Sequence, residues 1–259
     1  MIDLHCHLLP GIDDGSPSMG VSIAMARAAV EGGVDAIVAT PHVSRRYAND
    51  AASVAQRCAE LQRALDDAGV ALRVHSGAEI SHAVVGELGD DALRASALGG
   101  GGYVLLEPPY TGPAPFIDRM VGRLHAKGFG VVLAHPERSG AFQRNIEVLE
   151  GLVDAGVLCS VTAGSISGQF GGTVKRFAQE LFARGLVHNL ASDAHDAEHR
   201  SPALRPALDK AVAELPGLEH ALGWLTVEVP LAILAGEEVQ GSPPVIEPRR
   251  GLLGRLRRG

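Results

Sequence analysis

Residues 1–15, MIDLHCHLLPGIDDG, contain the pattern from which the fold class can be deduced. The short, largely apolar run Ile2–Cys6 predicts a β-strand, and a loop containing proline, glycine, Asp13 and Asp14 follows it. An amphipathic stretch, Ser18–Glu31, then predicts a helix. The beginning of the chain therefore indicates one βα unit.

The same alternation continues through most of the chain. Further strand-like runs are Ala36–Ala39, Leu72–Gly77, Tyr103–Leu106, Gly130–Ala134, Val157–Val161 and Val187–Ala191. Further helical patterns are Asp50–Ala68, Ala114–Lys127, Asn145–Ala155 and Thr173–Arg184. A glycine follows each of the five helical patterns as a recurring stop signal: Gly32, Gly69, Gly128, Gly156 and Gly185. Seven strands alternating with helices predict an α/β protein whose parallel strands form a closed or nearly closed barrel.

The domain organisation is predicted from the length and from a change in composition near the carboxyl terminus. A chain of 259 residues is long enough for one large domain, and we expect residues 1–240 to form it. Residues 241–248 are rich in proline, and residues 249–259 are basic and interrupted by glycine. We expect residues 241–259 to be a mobile tail.

Charge and composition argue against several classes of protein. The net charge of -7 argues against a general nucleic-acid binder, whose phosphate contacts need a basic surface. The chain lacks an apolar run of about 18 residues that would predict a spanning helix, and its first residues lack the features of a signal peptide. Three scattered cysteines, Cys6, Cys58 and Cys159, indicate a reducing compartment. We therefore expect a cytoplasmic protein.

Histidines and carboxylates occur where the predicted strands end. His5 and His7 end the first strand, and Asp193 and His195 follow the last. His5 and His7 are two residues apart, so they project from the same face of the strand, and Asp193 and His195 are again two apart. The strands between them lead to His42, Glu79, Glu107 and His135. Active sites of α/β barrels assemble at the carboxyl ends of the strands, so we expect these side chains to meet in one site.

Six short motifs contain most of these residues. They are Asp-Leu-His-Cys-His at 3–7, Asp-Asp-Gly at 13–15, Thr-Pro-His at 40–42, Gly-Ala-Glu at 77–79, Ala-His-Pro-Glu-Arg at 134–138 and Ala-Ser-Asp-Ala-His at 191–195. Together they resemble the polymerase-and-histidinol-phosphatase (PHP) superfamily. More narrowly, they resemble its bacterial metal-dependent protein-tyrosine phosphatases, which are linked to capsule and exopolysaccharide export. The resemblance implies a distorted seven-stranded (β/α) barrel, in agreement with the strand count.

The resemblance also implies three divalent metal ions, with manganese favoured and iron or zinc as alternatives. Matched motif by motif, the first ion would be bound by His5, His7, Glu79 and Asp193. The second would be bound by Glu79, Glu107 and His135, with Glu79 as a bridge. The third would be bound by Asp14, His42 and His195. Mixed imidazole and carboxylate ligands suit manganese, iron and zinc alike.

Arginines are expected to bind the phosphate group. The resemblance assigns this role to Arg138 and Arg200, whose guanidinium forks match a phosphate. For both of them the alternative is an ion pair with a neighbouring acidic residue. In the loop after His42, Arg45 and Arg46 could orient an acidic substrate, although exposed loop arginines are usually only solvated.

The expected reaction is hydrolysis of a phosphotyrosyl protein, such as a bacterial tyrosine kinase, by in-line attack of a metal-bound hydroxide. Three divalent ions and four ligand carboxylates would leave about two positive charges, which would attract a phosphate dianion. Two alternatives stay open: a phosphatase of a small metabolite such as histidinol phosphate, and a metal-stabilised module without catalysis. The Asp-Asp-Gly and Ala-His-Pro-Glu-Arg motifs favour the tyrosine phosphatase. The resemblance also allows a homo-oligomer.

Overall fold

The computed structural model describes residues 1–111 and 116–249. Within these ranges the strands are β1 (Ile2–Cys6), β2 (Ala36–Ala39), β3 (His42–Val43), β4 (Arg73–Ser76), β5 (Glu79–Ser81), β6 (Tyr103–Glu107), β7 (Gly130–Ala134), β8 (Leu158–Thr162) and β9 (Asn189–Ala191). The α-helices are α1 (Met19–Glu31), α2 (Ala51–Asp67), α3 (Asp90–Ala95), α4 (Ile117–Ala126), α5 (Gly140–Arg144), α6 (Ile146–Asp154), α7 (Ala163–Ser167), α8 (Gly172–Ala183), α9 (Leu204–Glu214) and α10 (Val229–Ala235). The alternation of strands and helices predicted from the sequence is confirmed.

The strands pair in parallel and form two sheets, with the orders β1-β2-β4 and β3-β5-β6-β7-β8-β9. The two sheets share a common register where the chain passes from one to the other. Ala39 lies opposite Ser76 in the first sheet, and His42 lies opposite Glu79 in the second. The difference in residue number between paired residues is the same in both sheets. The chain therefore passes from β2 to β3 and from β4 to β5 without a change in register between the two neighbouring segments.

The outer strands β1 and β9 also meet at their carboxyl ends. Cys6 forms a parallel bridge with Ala194, whose carbonyl accepts the His7 N–H at 2.9 Å. The Asp193 N–H donates to the His5 carbonyl at 2.8 Å. These bonds bring the two predicted residue pairs, which are far apart in the sequence, to the same edge of the fold.

Most strands are buried on both faces, as expected for parallel sheets covered by helices, whereas β4 is exposed to half-buried. In β6, Val104 and Leu106 belong to a large apolar cluster that includes residues of most helices. Leu105, between them, points to a smaller cluster that also contains Ile233 of α10. The strands therefore appear in the sequence as continuous apolar runs, and polar side chains collect where these runs end.

Helix boundaries follow local capping rules. Ser18 and Asp50 are the N-caps of α1 and α2, and each side chain accepts a backbone N–H of the first turn. At the end of α1 the left-handed residue is Gly33 (φ 78°), one position after the predicted stop at Gly32. The predicted helix Ala114–Lys127 corresponds to α4, and residues 112–115 lie outside the described residues.

The carboxyl-terminal segment contacts the body of the protein as far as it is described. Ile246 is buried, and its N–H donates to the Phe182 carbonyl at 3.1 Å. The Arg249 N–H donates to the Glu214 carbonyl at 3.2 Å. Residues 241–249 of the segment predicted to be mobile therefore contact α8 and α9, and residues 250–259 lie outside the described residues.

Among the described residues, no helix combines the length and the apolar character needed to cross a membrane.

Candidate metal centre

A cavity of about 280 Å³ lies at the carboxyl ends of the strands, where the sequence predicts the site. It is lined by Asp14, His42, Ser44, Arg46, Tyr47, Glu79, Glu107, Tyr110, His135, Asp193, His195 and Arg200. His5 and His7 lie behind this lining and are buried. The fold therefore brings together the nine residues that the sequence predicts as metal ligands.

Glu79, the first residue of β5, lies at the centre of the cluster and is buried. Its Oε1 lies 2.7 Å from Nε2 of His135, and its Oε2 lies 3.0 Å from Nδ1 of His42. Oε2 also lies 3.3 Å from Nε2 of both His5 and His7. Burial raises the pKa of Glu79, but His5 and His135 outweigh that effect and hold it well below its usual range. One carboxylate thus contacts four imidazoles.

Asp193 connects the histidines to the two predicted phosphate-binding arginines. Its Oδ1 lies 3.4 Å from Nε2 of both His5 and His7. Its Oδ2 accepts hydrogen bonds from Arg200 at 2.7 Å and from Arg138. Burial raises the pKa of Asp193, and the charges of His5 and Arg138 more than compensate, so that it lies well below its usual value. Asp193 is therefore a carboxylate with one oxygen toward the cluster and the other bound by guanidinium groups.

Asp14 forms the more open side of the cluster. Its Oδ1 lies 3.3 Å from Nε2 of His42 and 3.5 Å from Nε2 of His195. Together with His7, these residues have ligand atoms within 4.8 Å of one another. The predicted group of Asp14, His42 and His195 is thus together in space, with His7 beside it.

Glu107, at the end of β6, lies on the other side of Glu79. Its carboxylate is within 4.8 Å of ligand atoms of His42 and Glu79. His135, which the resemblance pairs with Glu107, instead has its closest grouping with His5 and Glu79. Burial, and then the charge of Glu79, raise the pKa of Glu107 to about 7.

The donor chemistry of the cluster fits divalent cations. Nδ1 of His7 donates to Asp13 Oδ2 at 2.7 Å, which leaves the lone pair of Nε2 pointing inward, 3.2 Å from Nε2 of His5. The buried Oε2 of Glu79 accepts no hydrogen bond of acceptable geometry within the described structure, although three imidazole nitrogens lie within 3.3 Å of it. Burial lowers the pKa of His7, but Asp13 and the cluster carboxylates raise it well above its usual value, so a proton occupies Nε2 when no cation is bound there. Converging acceptors of this kind need a cation to offset the cost of their burial.

Asp13 contacts two predicted ligands, although the sequence assigned only its neighbour Asp14 to the site. Its Oδ2 accepts the His7 ring N–H and, at 3.2 Å, the backbone N–H of His42, while Oδ1 accepts the Gly15 N–H at 2.9 Å. A side chain at Gly15 would meet the His7 carbonyl at 2.2 Å, so this tight turn requires glycine. Asp13 therefore fixes the orientation of two predicted ligands without facing the cavity.

Two of the three tyrosines line the cavity, and the sequence did not indicate either of them. The Tyr47 ring stacks on His42 with centroids 5.6 Å apart, and the Tyr110 ring stacks on His135 at 5.3 Å. Both follow strand ends, in the loops after β3 and β6, but only the tertiary structure brings them to the ligands.

The two predicted phosphate-binding arginines differ in position. Arg200 lines the cavity, and its side chain is 31% exposed. Arg138 is 9% exposed, donates to Thr162 Oγ1 at 2.9 Å as well as to Asp193, and is not part of the cavity lining. The Phe170 ring lies over both guanidinium groups, 4.5 Å from that of Arg138 and 5.7 Å from that of Arg200. Their phosphate-binding role stays a prediction.

Known proteins with similar sequences and structures agree with this geometry. The chain is 35% identical to the tyrosine-protein phosphatase YwqE of Bacillus subtilis, over 98% of this chain and 99% of the relative. It is 26% identical to the tyrosine-protein phosphatase CpsB of Streptococcus pneumoniae, over 81% of this chain and 88% of the relative.

The fold matches a chain from the crystal structures of YwqE and CpsB, which are described as unique metal-dependent tyrosine phosphatases. The TM-score is 0.84 at 32% identity, over 97% of this chain and 100% of the other. The family model for capsular polysaccharide synthesis, CpsB/CapC, matches residues 1–218. The chain therefore belongs to the CpsB/CapC family of capsular polysaccharide synthesis proteins.

Proposed function

We propose that this protein is a metal-dependent phosphatase that removes phosphate from phosphotyrosyl proteins. The observation that carries the proposal is the convergence of five histidines and four carboxylates around one cavity. The near full-length similarity to tyrosine-protein phosphatases of the same family supports the choice of substrate.

The cluster has room for more than one cation, because its ligand atoms form several groups that share residues. Glu79 belongs to two such groups, and so do His5, His7 and His42. We assign three ions, most simply manganese, to His5, His7, Glu79 and Asp193, to Glu79, Glu107 and His135, and to Asp14, His42 and His195. In this assignment Glu79 would be a ligand of both of the first two ions.

Divalent ions in these sites would supply Lewis acidity, which acidifies a water and offsets negative charge on the phosphoryl oxygens. The protein's part is to orient the ligands: Asp13 sets the His7 ring, and Arg138 and Arg200 hold Asp193. Arg200 also presents a guanidinium to the cavity, where it can contact a phosphate oxygen.

The leaving group explains why the chain does not need a strong general acid. A tyrosine phenol has a pKa of about 10, so it departs with less proton transfer than an alcohol. Tyr47 and Tyr110 line the cavity and offer apolar ring surface to a phenyl group while they restrict water. An alkyl phosphate gains neither advantage at this site.

We further propose a fold of the PHP type, with residues 1–240 as a single distorted seven-stranded barrel. The constant register across β2–β3 and β4–β5 supports counting each pair as one strand. The bridge between Cys6 and Ala194 supports closure between β1 and β9. The cysteines Cys6, Cys58 and Cys159 are buried and free, which suits a cytoplasmic protein. A phosphotyrosyl protein is the proposed partner, and assembly into a homo-oligomer is compatible with it.

The test combines metal analysis with a choice of substrates. The purified protein is analysed for bound metal and assayed on a phosphotyrosyl peptide and on histidinol phosphate, with and without added manganese. Two to three ions per chain are the expected content, by analogy with multi-metal phosphatase sites, together with manganese-stimulated hydrolysis of the peptide that is lost in His42→Ala. Turnover of histidinol phosphate alone would keep the metal site and reject the substrate. Bound metal without either activity would reject catalysis.

A further inference from the structure

The residues Ser44–Tyr47 form a rigid turn at the rim of the cavity, which we call the rim turn. Its ends are joined by two hydrogen bonds: the Ser44 N–H donates to the Tyr47 carbonyl at 2.9 Å, and the Tyr47 N–H donates to Ser44 Oγ at 3.1 Å. An antiparallel bridge between Val43 and Ala48 continues this pairing below the turn. The turn is therefore a small hairpin with a defined shape.

The rim turn is also attached to the metal-ligand loops. The Asn49 side chain donates one hydrogen bond to the Ile12 carbonyl at 3.0 Å and another to the His42 carbonyl at 2.9 Å. Ile12 directly precedes Asp13 and Asp14. The position of the turn is consequently fixed relative to the floor of the cavity.

The two arginines at the tip of the rim turn differ in their surroundings. Arg45 points away from the cavity and pairs with Glu87 at 3.2 Å. Arg46 lines the cavity, and among residues 1–111 and 116–249 no carboxylate lies within 4.0 Å of its guanidinium. An exposed cation on the wall of a substrate cavity, without an anionic partner in the described structure, is available to a ligand.

A stack of side chains determines how far Arg46 lies from the metal ligands. Its guanidinium lies over the Tyr47 ring, 4.9 Å from the centroid, and the Tyr47 ring in turn stacks on His42 at 5.6 Å. The Tyr47 ring thus contacts both Arg46 and a predicted ligand histidine. When the phosphate contacts the metal ligands at the floor of the cavity, the rest of the substrate lies at the rim, beside Arg46.

We infer that Arg46 binds a carboxylate next to the phosphotyrosine, and that the site therefore selects phosphotyrosyl segments with acidic flanking residues. This inference rests on the proposed function. Consecutive Cα atoms of a peptide are about 3.8 Å apart, so a flanking acidic side chain can reach the rim while the phosphotyrosine occupies the cavity. The attraction of Arg46 for a carboxylate acts only near the cavity. The protein as a whole carries a net charge of -7, so the rest of its surface repels acidic segments.

The experiment compares two phosphotyrosyl peptides of equal length, one with glutamate and the other with glutamine on both sides of the phosphotyrosine. The readout is the ratio of kcat/KM for the acidic peptide to that for the neutral peptide, in the manganese-loaded full-length protein. An exposed ion pair predicts a ratio of up to about five for the wild type. The ratio is expected to fall as salt is added, because exposed charges are screened.

Arg46→Ala is expected to bring the ratio close to one, and Arg46→Glu to reverse the preference. The matched control is Arg45→Ala, which removes the other exposed arginine of the same turn and is expected to keep the wild-type ratio. A wild-type ratio of one, an unchanged ratio in Arg46→Ala, or an equal loss on both peptides would overturn the inference. The last result would mean that Arg46 binds the transferred phosphate. Hydrolysis of neither peptide by the wild type would instead reject the proposed function itself.

Discussion

Replacing Asp13 with asparagine tests how the protein controls its metal ligands. Asp13 Oδ2 accepts the ring N–H of His7, and Oδ1 accepts the Gly15 N–H. Asparagine has the same shape, but one of its two polar atoms is an NH₂ donor. If that group faces His7, the imidazole proton must move to Nε2, where it blocks the lone pair that points into the cluster. If it faces Gly15, two donors oppose each other.

The expected magnitude follows from the contacts of this one carboxylate. Substitution of a residue that hydrogen-bonds a metal-binding histidine typically lowers metal affinity or activity by about 10- to 100-fold. Asp13 contacts the His7 ring and, at 3.2 Å, the backbone N–H of His42, so two predicted ligands depend on it. We therefore expect Asp13→Asn to weaken manganese binding toward the upper end, about 100-fold. Asp13→Ala should be at least as severe.

The assay is calorimetric titration of the metal-free protein with manganese, together with the manganese concentration that gives half-maximal phosphatase activity. Thermal unfolding of the metal-free proteins shows whether the variant still folds. Asp50→Asn is the matched control, because Asp50 also accepts a backbone N–H, that of Ser53 at 3.0 Å, but contacts no histidine. A folded Asp13→Asn protein with wild-type manganese affinity would refute the argument that Asp13 sets the state of His7.

Three further predictions follow from the cluster and the core. Glu79→Gln should lower kcat/KM by more than about 100-fold, because Glu79 contacts four imidazoles directly. A loss of about 100-fold is the upper limit for residues that only hydrogen-bond a metal ligand. Steady-state kinetics test this, and activity near that of the wild type would contradict it. A chelator should abolish activity, and manganese at 100 times its Kd should restore it and raise the free energy of unfolding by about 2.7 kcal/mol, measured by denaturant titration. Burial lowers the pKa of His188 to about 4 in the folded protein, whereas the pKa in the unfolded chain is about 6.5. The neutral His188 therefore contributes to stability above pH 6.5, and this contribution, on the order of 3 kcal/mol, is lost as the pH falls toward 4. His188→Gln, whose amide oxygen can still accept the Cys159 N–H, should reduce this acid sensitivity in unfolding experiments at pH 7 and pH 4.5.

The strand ends and most of the candidate ligands could be predicted from the sequence because their spacing is local. His5 lies on β1 and His7 directly follows that strand, and Asp193 and His195 come within four residues of the end of β9. Parallel strands place their carboxyl ends at one edge, so the approximate location of the site followed from the strand count alone.

The grouping of the ligands could not be predicted from spacing, because it depends on which strands are neighbours and in what register. Glu107 groups with His42 and Glu79, while His135 groups with His5 and Glu79. Asp13 and Asp14 are adjacent and chemically alike, and only the turn at Gly15 decides which of them faces His7. The packing of Ile246 against α8 likewise depends on contacts between segments that are far apart in the sequence.

The arginines explain why the field in the cavity must depend on bound cations. Both guanidinium groups of Arg138 and Arg200 contact the same oxygen of Asp193, so part of their positive charge is already offset before a substrate arrives. Asp14, Glu79 and Glu107 add further negative charge around the cavity. Without cations this set repels a phosphate dianion. Counting the metal ligands alone, without the arginines, two divalent ions would balance the four carboxylates, and a third would make the ligand set positive and attractive to phosphate. Under the proposed assignment, occupancy of the last site to fill therefore controls substrate binding, whereas Arg46 at the rim contributes its charge at every level of occupancy.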